Sequence, residues 1–198
     1  MAISKAHSIV GFGNDREPFD NYPTPSIAVT ELLKREHFDG TIWECACGSG
    51  NIAKFFPDCI ATDIRESGYG EGGINFLLEN RKVDNIITNP PFKLAQQFVE
   101  HALVCANQKV AMFLKLVFLE SESRYYLFKD HPPKIVYPFS KRLTLKREGE
   151  EREMSGMIAY AWFVWDKSYN GKTTIEWILV EDKHSNAKSR TPSRRQGA

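Results

Sequence analysis

Residues 84–114 read DNIITNPPFKLAQQFVEHALVCANQKVAMFL, and this stretch sets the architecture. Asp84-Asn85-Ile86-Ile87-Thr88 is a strand, closed by Asn89-Pro90-Pro91-Phe92 because two prolines cannot continue a central strand. Leu94, Ala95, Phe98, Val99, Ala102, Leu103 and Ala106 then fall on one face of a helix. Val110-Ala111-Met112-Phe113-Leu114 follows as an unbroken apolar run, expected of a strand covered on both faces. Strand, helix and strand in that order predict a parallel sheet with right-handed crossovers.

The same alternation extends upstream. Thr24 is placed to cap a helix and Pro25 to open it, with Ile27, Ala28, Leu32 and Leu33 as its apolar stripe through about residue 36. Strands are expected at 41–45, 60–63 and 74–76, with a short helix at 51–56. Downstream, a short helix at 123–130 precedes strands at 134–137, 158–165 and 174–179. Lys146 to Gly156 packs seven charges and two glycines into eleven residues and reads as a surface loop. The expected organisation is a loose leader over 1–20, one domain over 21–182 and a basic tail over 183–198.

Composition narrows the class. The 198 residues are 42% hydrophobic and 26% charged, which excludes a collagen, a disulfide scaffold and a chain disordered throughout. No stretch approaches 18 uncharged apolar residues, so no membrane span is expected, and Met1-Ala2-Ile3-Ser4-Lys5 does not open a secretory signal. A cytoplasmic protein is the expectation. Cysteines at 45, 47, 59 and 105 lack zinc-knuckle spacing, so reduced thiols and no metal site are expected. Net charge is +1, but five of the 26 basic residues and none of the 25 acids lie in 183–198, leaving 21 against 25 elsewhere.

In a doubly covered parallel sheet, ligands bind at the carboxyl ends of the strands. There the first strand runs into Glu44-Cys45-Ala46-Cys47-Gly48-Ser49-Gly50, whose glycines permit positive φ and close backbone approach. Ala53 stands where a third glycine of a dinucleotide fingerprint would be, and no Gly-Lys-Ser/Thr is present. Glu44 opposes a diphosphate and suits a cation. Asp63, 19 residues on, is spaced to accept from ribose hydroxyls. An adenosine-like, phosphate-free ligand is therefore expected. The rigid turn after Asn89 fixes a side-chain carbonyl and a backbone carbonyl toward the cleft, two acceptors for the two N–H groups of a planar amine. Phe92 is placed to stack on a base.

These residues resemble the class I S-adenosylmethionine-dependent amino-methyltransferases that make N6-methyladenine. Asn89-Pro90-Pro91-Phe92 matches their catalytic motif, Glu44 to Gly50 their cofactor turn, and Tyr22-Pro23-Thr24-Pro25 their upstream motif. The resemblance covers roughly residues 20–165 and looks nearest to small phage or mobile-element DNA adenine methylases. It implies a Rossmann-like seven-stranded sheet, mostly parallel with one antiparallel strand and helices on both faces. It implies S-adenosylmethionine as cofactor, leaving S-adenosylhomocysteine, with Tyr22, Thr24, Pro25, Glu44, Cys45, Ala46, Gly48, Gly50, Asp63, Ile64, Asn75, Phe76 and Asn89 around it. Glu44 would face the amino group and Asp63 the ribose. Asn75-Phe76 stands where many members have Asp-Phe, whose acid accepts from the cofactor's adenine amine. Asn89 and the Pro90 carbonyl would grip the target amine, with Pro91 and Phe92 completing the motif.

The implied partner is nucleic acid, DNA ahead of ribosomal RNA, then a protein glutamine. Cytosine N4 fits less well, since that chemistry more often uses Ser at position 89. A non-catalytic cofactor-binding subunit is the alternative class, and the intact motif argues against it. Lys141, Arg142, Lys146 and Arg147 offer phosphate contacts, but Glu148, Glu150, Glu151 and Glu153 share the stretch and favour a solvated charge run. Monomer and homodimer stay equally open.

Overall fold

A computed structural model describes residues 22–66, 68–145 and 158–180. The expected leader, the charged loop at 146–156 and the basic tail lie outside the described residues. Strands β1 Ile42–Glu44, β2 Ile60–Ala61, β3 Val83–Thr88, β4 Ala106–Lys115, β5 Ile135–Pro138, β6 Tyr160–Asp166 and β7 Thr174–Ile175 form one sheet, ordered β2-β1-β3-β4-β6-β5-β7. Only β6 runs against its neighbours, β4 and β5; every other pairing is parallel. Helices α1 Ser26–Leu33, α2 Ala95–Cys105 and α3 Tyr125–Asp130 cover it.

The apolar run in β4 explains the layering. Successive strand side chains point to opposite faces. Val110, Met112 and Leu114 join Phe98, Val99 and Ala102 of α2 and Leu127 of α3 in one cluster. Ala111 and Phe113 join Ala28, Val29 and Leu32 of α1 in the other. All five β4 residues are at most 1% exposed, so the strand is sealed on both sides. β6 repeats the pattern, with Ala161, Phe163 and Trp165 on the α2 side and Tyr160, Trp162 and Val164 on the α1 side. The Trp162 indole donates to the Ala28 carbonyl at 2.8 Å and ties α1 to the sheet.

Four expectations are corrected. Residues 74–76 are not a strand: the Asn75 side chain accepts from Leu77 N at 3.2 Å and turns the chain into a 3-10 turn, Phe76–Leu78. An Asn that bonds nearby backbone competes with a ladder in this way. The contact with the β2 edge is instead a single parallel bridge, Thr62 to Glu71. The seventh strand lies at the opposite edge, as β7. Pro25 rather than Thr24 holds the N-cap position of α1, and no side chain caps it. The helix ends at Leu33 rather than near residue 36. The short helix at 51–56 reduces to a 3-10 turn, Ala53–Phe55.

Candidate functional site

Three neighbouring strands deliver their carboxyl ends to one place. Across the sheet, β2 leads to Asp63, β1 ends at Glu44, and β3 runs into Asn89. With the segment before α1 they border a cavity of about 400 Å³, within the range of small-molecule sites. Its wall includes Tyr22, Thr24, Glu44, Cys45, Ala46, Gly48, Asp63, Ile64, Asn75, Phe76, Asn89 and Pro91. Pro25, Gly50, Pro90 and Phe92, also predicted for the site, do not line it. Asn51, Arg65, Ile74, Leu77, Lys93, Leu94 and Phe98 do, without having been expected there, as do Pro23, Cys47 and Ser49 from within the quoted motifs. Leu94 and Phe98 carried a signal of their own, but it read as helix core. Thr24, one residue before the N-cap position, is 3% exposed in this wall.

The two acids differ sharply. Glu44 is 2% exposed. Its Oε2 accepts from Ala53 N at 2.5 Å. Burial pushes its carboxyl up to about 8, and the charge of Asp63 adds to that push. Asp63 Oδ2 accepts from Gly48 N at 2.8 Å, and Oδ1 accepts from Arg65 N at 2.9 Å and Arg65 Nε at 3.1 Å. Burial would raise this carboxyl too, but the Arg65 side chain and the backbone N–H groups of Arg65 and Gly48 hold it below its ordinary value. An ionised acid thus stands beside one that keeps its proton at neutral pH. Arg65 occupies the oxygens that were expected to meet a ribose.

The Asn89 amide is held by one end. Its Nδ2 donates to the Tyr22 carbonyl at 2.9 Å, which assigns the oxygen to the other end. Asn89 Oδ1 is buried and has no partner among the described residues. A buried acceptor without a donor costs about 1–3 kcal/mol; Asn85 Oδ1 and Thr88 Oγ1 share that state among the described residues, but of the three only Asn89 lines the cavity. In the next residues, Leu94 N takes the Pro91 carbonyl at 2.9 Å. Phe92 packs beside the cavity, its ring centroid 6.4 Å from Tyr22 and 5.7 Å from Tyr160, with Lys115 Nζ 4.2 Å above it.

Gly50 serves the turn rather than the wall. Its φ is +75°, and a Cβ there would collide with the Tyr69 ring. Lys54 Nζ secures the arrangement, donating to the Ser49 carbonyl at 2.8 Å and lying 5.1 Å from the Tyr69 centroid. Gly50→Ala is expected to lower stability by about 1–3 kcal/mol, measured by denaturant unfolding. In a Tyr69→Ala background part of that loss should vanish, leaving the cost of the positive φ.

No family model matches the sequence, and no curated protein matches it significantly. Solved structures do match. A provisionally assigned RNA methyltransferase from Pyrococcus horikoshii aligns at TM-score 0.57 and 15% identity, over 75% of this chain and 87% of that one. The modification subunit of a provisionally assigned type I restriction enzyme from Vibrio vulnificus aligns at 0.59 and 14%, over 86% of this chain and 49% of that one. A dimethyladenosine transferase from Plasmodium falciparum aligns at 0.50 and 16%, over 75% and 63%. At these identities the likeness is one of fold alone: a seven-stranded, mostly parallel Rossmann-like sheet as in methyltransferases of known structure.

Proposed function

We propose that this chain transfers a methyl group from S-adenosylmethionine to the exocyclic N6 amine of adenine in DNA, with RNA as the second substrate class. The observation that carries the reading is the unpartnered Asn89 Oδ1, fixed in orientation by Tyr22 at the wall of a ligand-sized cavity. An amine N–H is the donor that this oxygen lacks. Accepting from the amine draws its nitrogen toward a pyramidal shape and frees the lone pair for attack. The Pro90 carbonyl, next in the chain, is the second acceptor, and Phe92 steadies the base from outside the cavity.

The residues present fit the cofactor. Ile64, Ile74, Phe76, Leu77 and Phe98 give the cavity wall the apolar surface that a planar base needs. Glu44, buried and with no salt bridge among the described residues, supplies the negative charge that an ammonium group needs once it gives up its proton, which burial holds up to about 8. S-adenosylmethionine, when bound, supplies an electrophilic methyl carbon. The chain's own part is positioning, with two reactants held in line and water excluded. Asp63 serves the ribose after Arg65 gives up part of its hold. Proteins of this fold that by name act on RNA, on adenosine or in restriction–modification support a nucleic-acid substrate, and the Asn-Pro-Pro-Phe turn supports the adenine amine.

The test is methyl transfer from radiolabelled S-adenosylmethionine, with duplex DNA, single-stranded DNA, ribosomal RNA and protein extract offered side by side. Label recovered as N6-methyladenine in DNA is the expected result. Label in RNA or protein changes the substrate and keeps the chemistry. No label in any pool, with cofactor bound, moves the chain to a non-catalytic role.

A further inference from the structure

The edge of the sheet farthest from the cavity is β7, and its backbone pairing with β5 runs on past Ile175. Thr174 N, Glu176 N and Ile178 N donate to the carbonyls of Lys134, Val136 and Pro138 at 3.0, 3.1 and 2.9 Å, and Phe139 bridges to Ile178 in the same register. The N–H and C=O groups of Ile175, Trp177 and Leu179 alternate with these and point to the open side. Their side chains share one face. Ile178 is buried in the cluster on the α1 side and Glu176 meets Arg35, so the odd positions face the side of α2 and α3. They stay exposed there, Ile175 by 51% and Trp177 and Leu179 by 66% each. Natural proteins blunt such an edge with lysine or proline. Residues 173–180, Thr-Thr-Ile-Glu-Trp-Ile-Leu-Val, hold neither, and their single charge, Glu176, lies on the other face.

We propose that a second copy of this chain covers this edge, β7 against β7, in an antiparallel register centred on Trp177. A two-fold axis requires every contact to be returned. With Trp177 opposite its own counterpart, Ile175 stands opposite Leu179 and Leu179 opposite Ile175. Each of these residues carries outward N–H and C=O groups, so each opposed pair exchanges both bonds, and opposed side chains lie on one face. Only this register pairs the three apolar residues wholly among themselves. Centring one residue earlier sets Glu176 against Glu176, a like-charge pair. Centring on Ile175 leaves Trp177 against Thr173. The cavity sits at β2, β1 and β3, across the sheet from β7, and stays open in the pair. Because the copies run antiparallel, their two cavities open at opposite ends and share no wall.

The experiment is sedimentation equilibrium of the full chain over about 1–100 µM, the range suited to an interface below the standard size. The wild type should pass from the mass of one chain to that of two within it. Trp177→Lys should raise the dissociation constant by about tenfold or more, the weight of a central aromatic anchor. Ile175→Cys and Leu179→Cys, made as separate proteins and mixed under mild oxidation, test the register without a buried charge. They should form a disulfide-linked pair, because a hydrogen-bonded antiparallel pair holds its Cα atoms about 5.5 Å apart, within disulfide reach. Either protein oxidised alone should stay at the background of the native cysteines. A wild type that keeps the mass of one chain throughout overturns the proposal and leaves the edge to another segment or another protein. Dimerisation undiminished in Trp177→Lys overturns it by placing the interface elsewhere. Cross-links no commoner in the mixture than in either protein alone overturn the register, and the proposal with it.

Discussion

Asn89→Ala should leave S-adenosylhomocysteine affinity within about threefold and lower methyl transfer by about 10²–10³-fold, the scale of removing one preorganised hydrogen bond from a transition state. The loss should fall on kcat more than on KM, because the bond strengthens as the amine becomes nucleophilic. Asn89→Asp is the informative partner. It keeps an acceptor for the amine but sets a carboxylate oxygen against the Tyr22 carbonyl, where Nδ2 now donates at 2.9 Å. Its turnover should lie between wild type and Ala. Undiminished turnover by Asn89→Ala would remove this residue from the chemistry.

The second large effect is on pH. Glu44 keeps its proton up to about 8 in the ligand-free chain, whereas the ammonium group it is proposed to meet begins to lose its own near pH 7.7–8.0, the ordinary range of an α-amino group. Productive binding needs both charges. Affinity for S-adenosylmethionine should therefore follow a bell, peaking close to pH 8 at about twenty times its value at pH 6. Glu44→Gln should flatten the acid limb and lower the peak. An acid limb that persists in Glu44→Gln assigns the titration elsewhere. Stability of the ligand-free chain follows with the opposite slope. The unfolded chain releases this proton near the ordinary 4.5 and the folded chain near 8. The folded state thus binds more protons in between, and stability falls as pH rises through that window.

The elements legible in the sequence are those whose pattern admits one reading. Val110 to Leu114 could only be a strand sealed on both faces, and Asn89-Pro90-Pro91-Phe92 could only end one. The misplaced strand at 74–76 looked apolar, but Asn75 uses its side chain locally, and the backbone hydrogen bonds to the β2 edge are made mainly by Glu71 before it. Their place in the cavity wall was legible for Glu44, Asp63 and Asn89 because each stands at or just past the carboxyl end of a strand and carries a polar group. Arg65 was not, since a basic residue two positions after an acid has no distinguishing pattern. Phe98 and Leu94 belonged to a stripe already explained by helix packing. Phe92 was assigned by type to a stacking face, while the structure packs it between Tyr22 and Tyr160, outside the cavity wall.

The sheet is unevenly built. β4 and β6 share seven paired positions, whereas β1 meets β2 at two and β3 at two. The cavity belongs to the weakly laced side. Its strands hold fewer ladder positions than the β4–β6 plank, although β1 is itself buried, with Trp43 at 0% exposure. A ligand held across the ends of β2, β1 and β3 is expected to add to that lacing, seen as slower amide hydrogen exchange in these strands than in the ligand-free chain, with β4 and β6 unchanged.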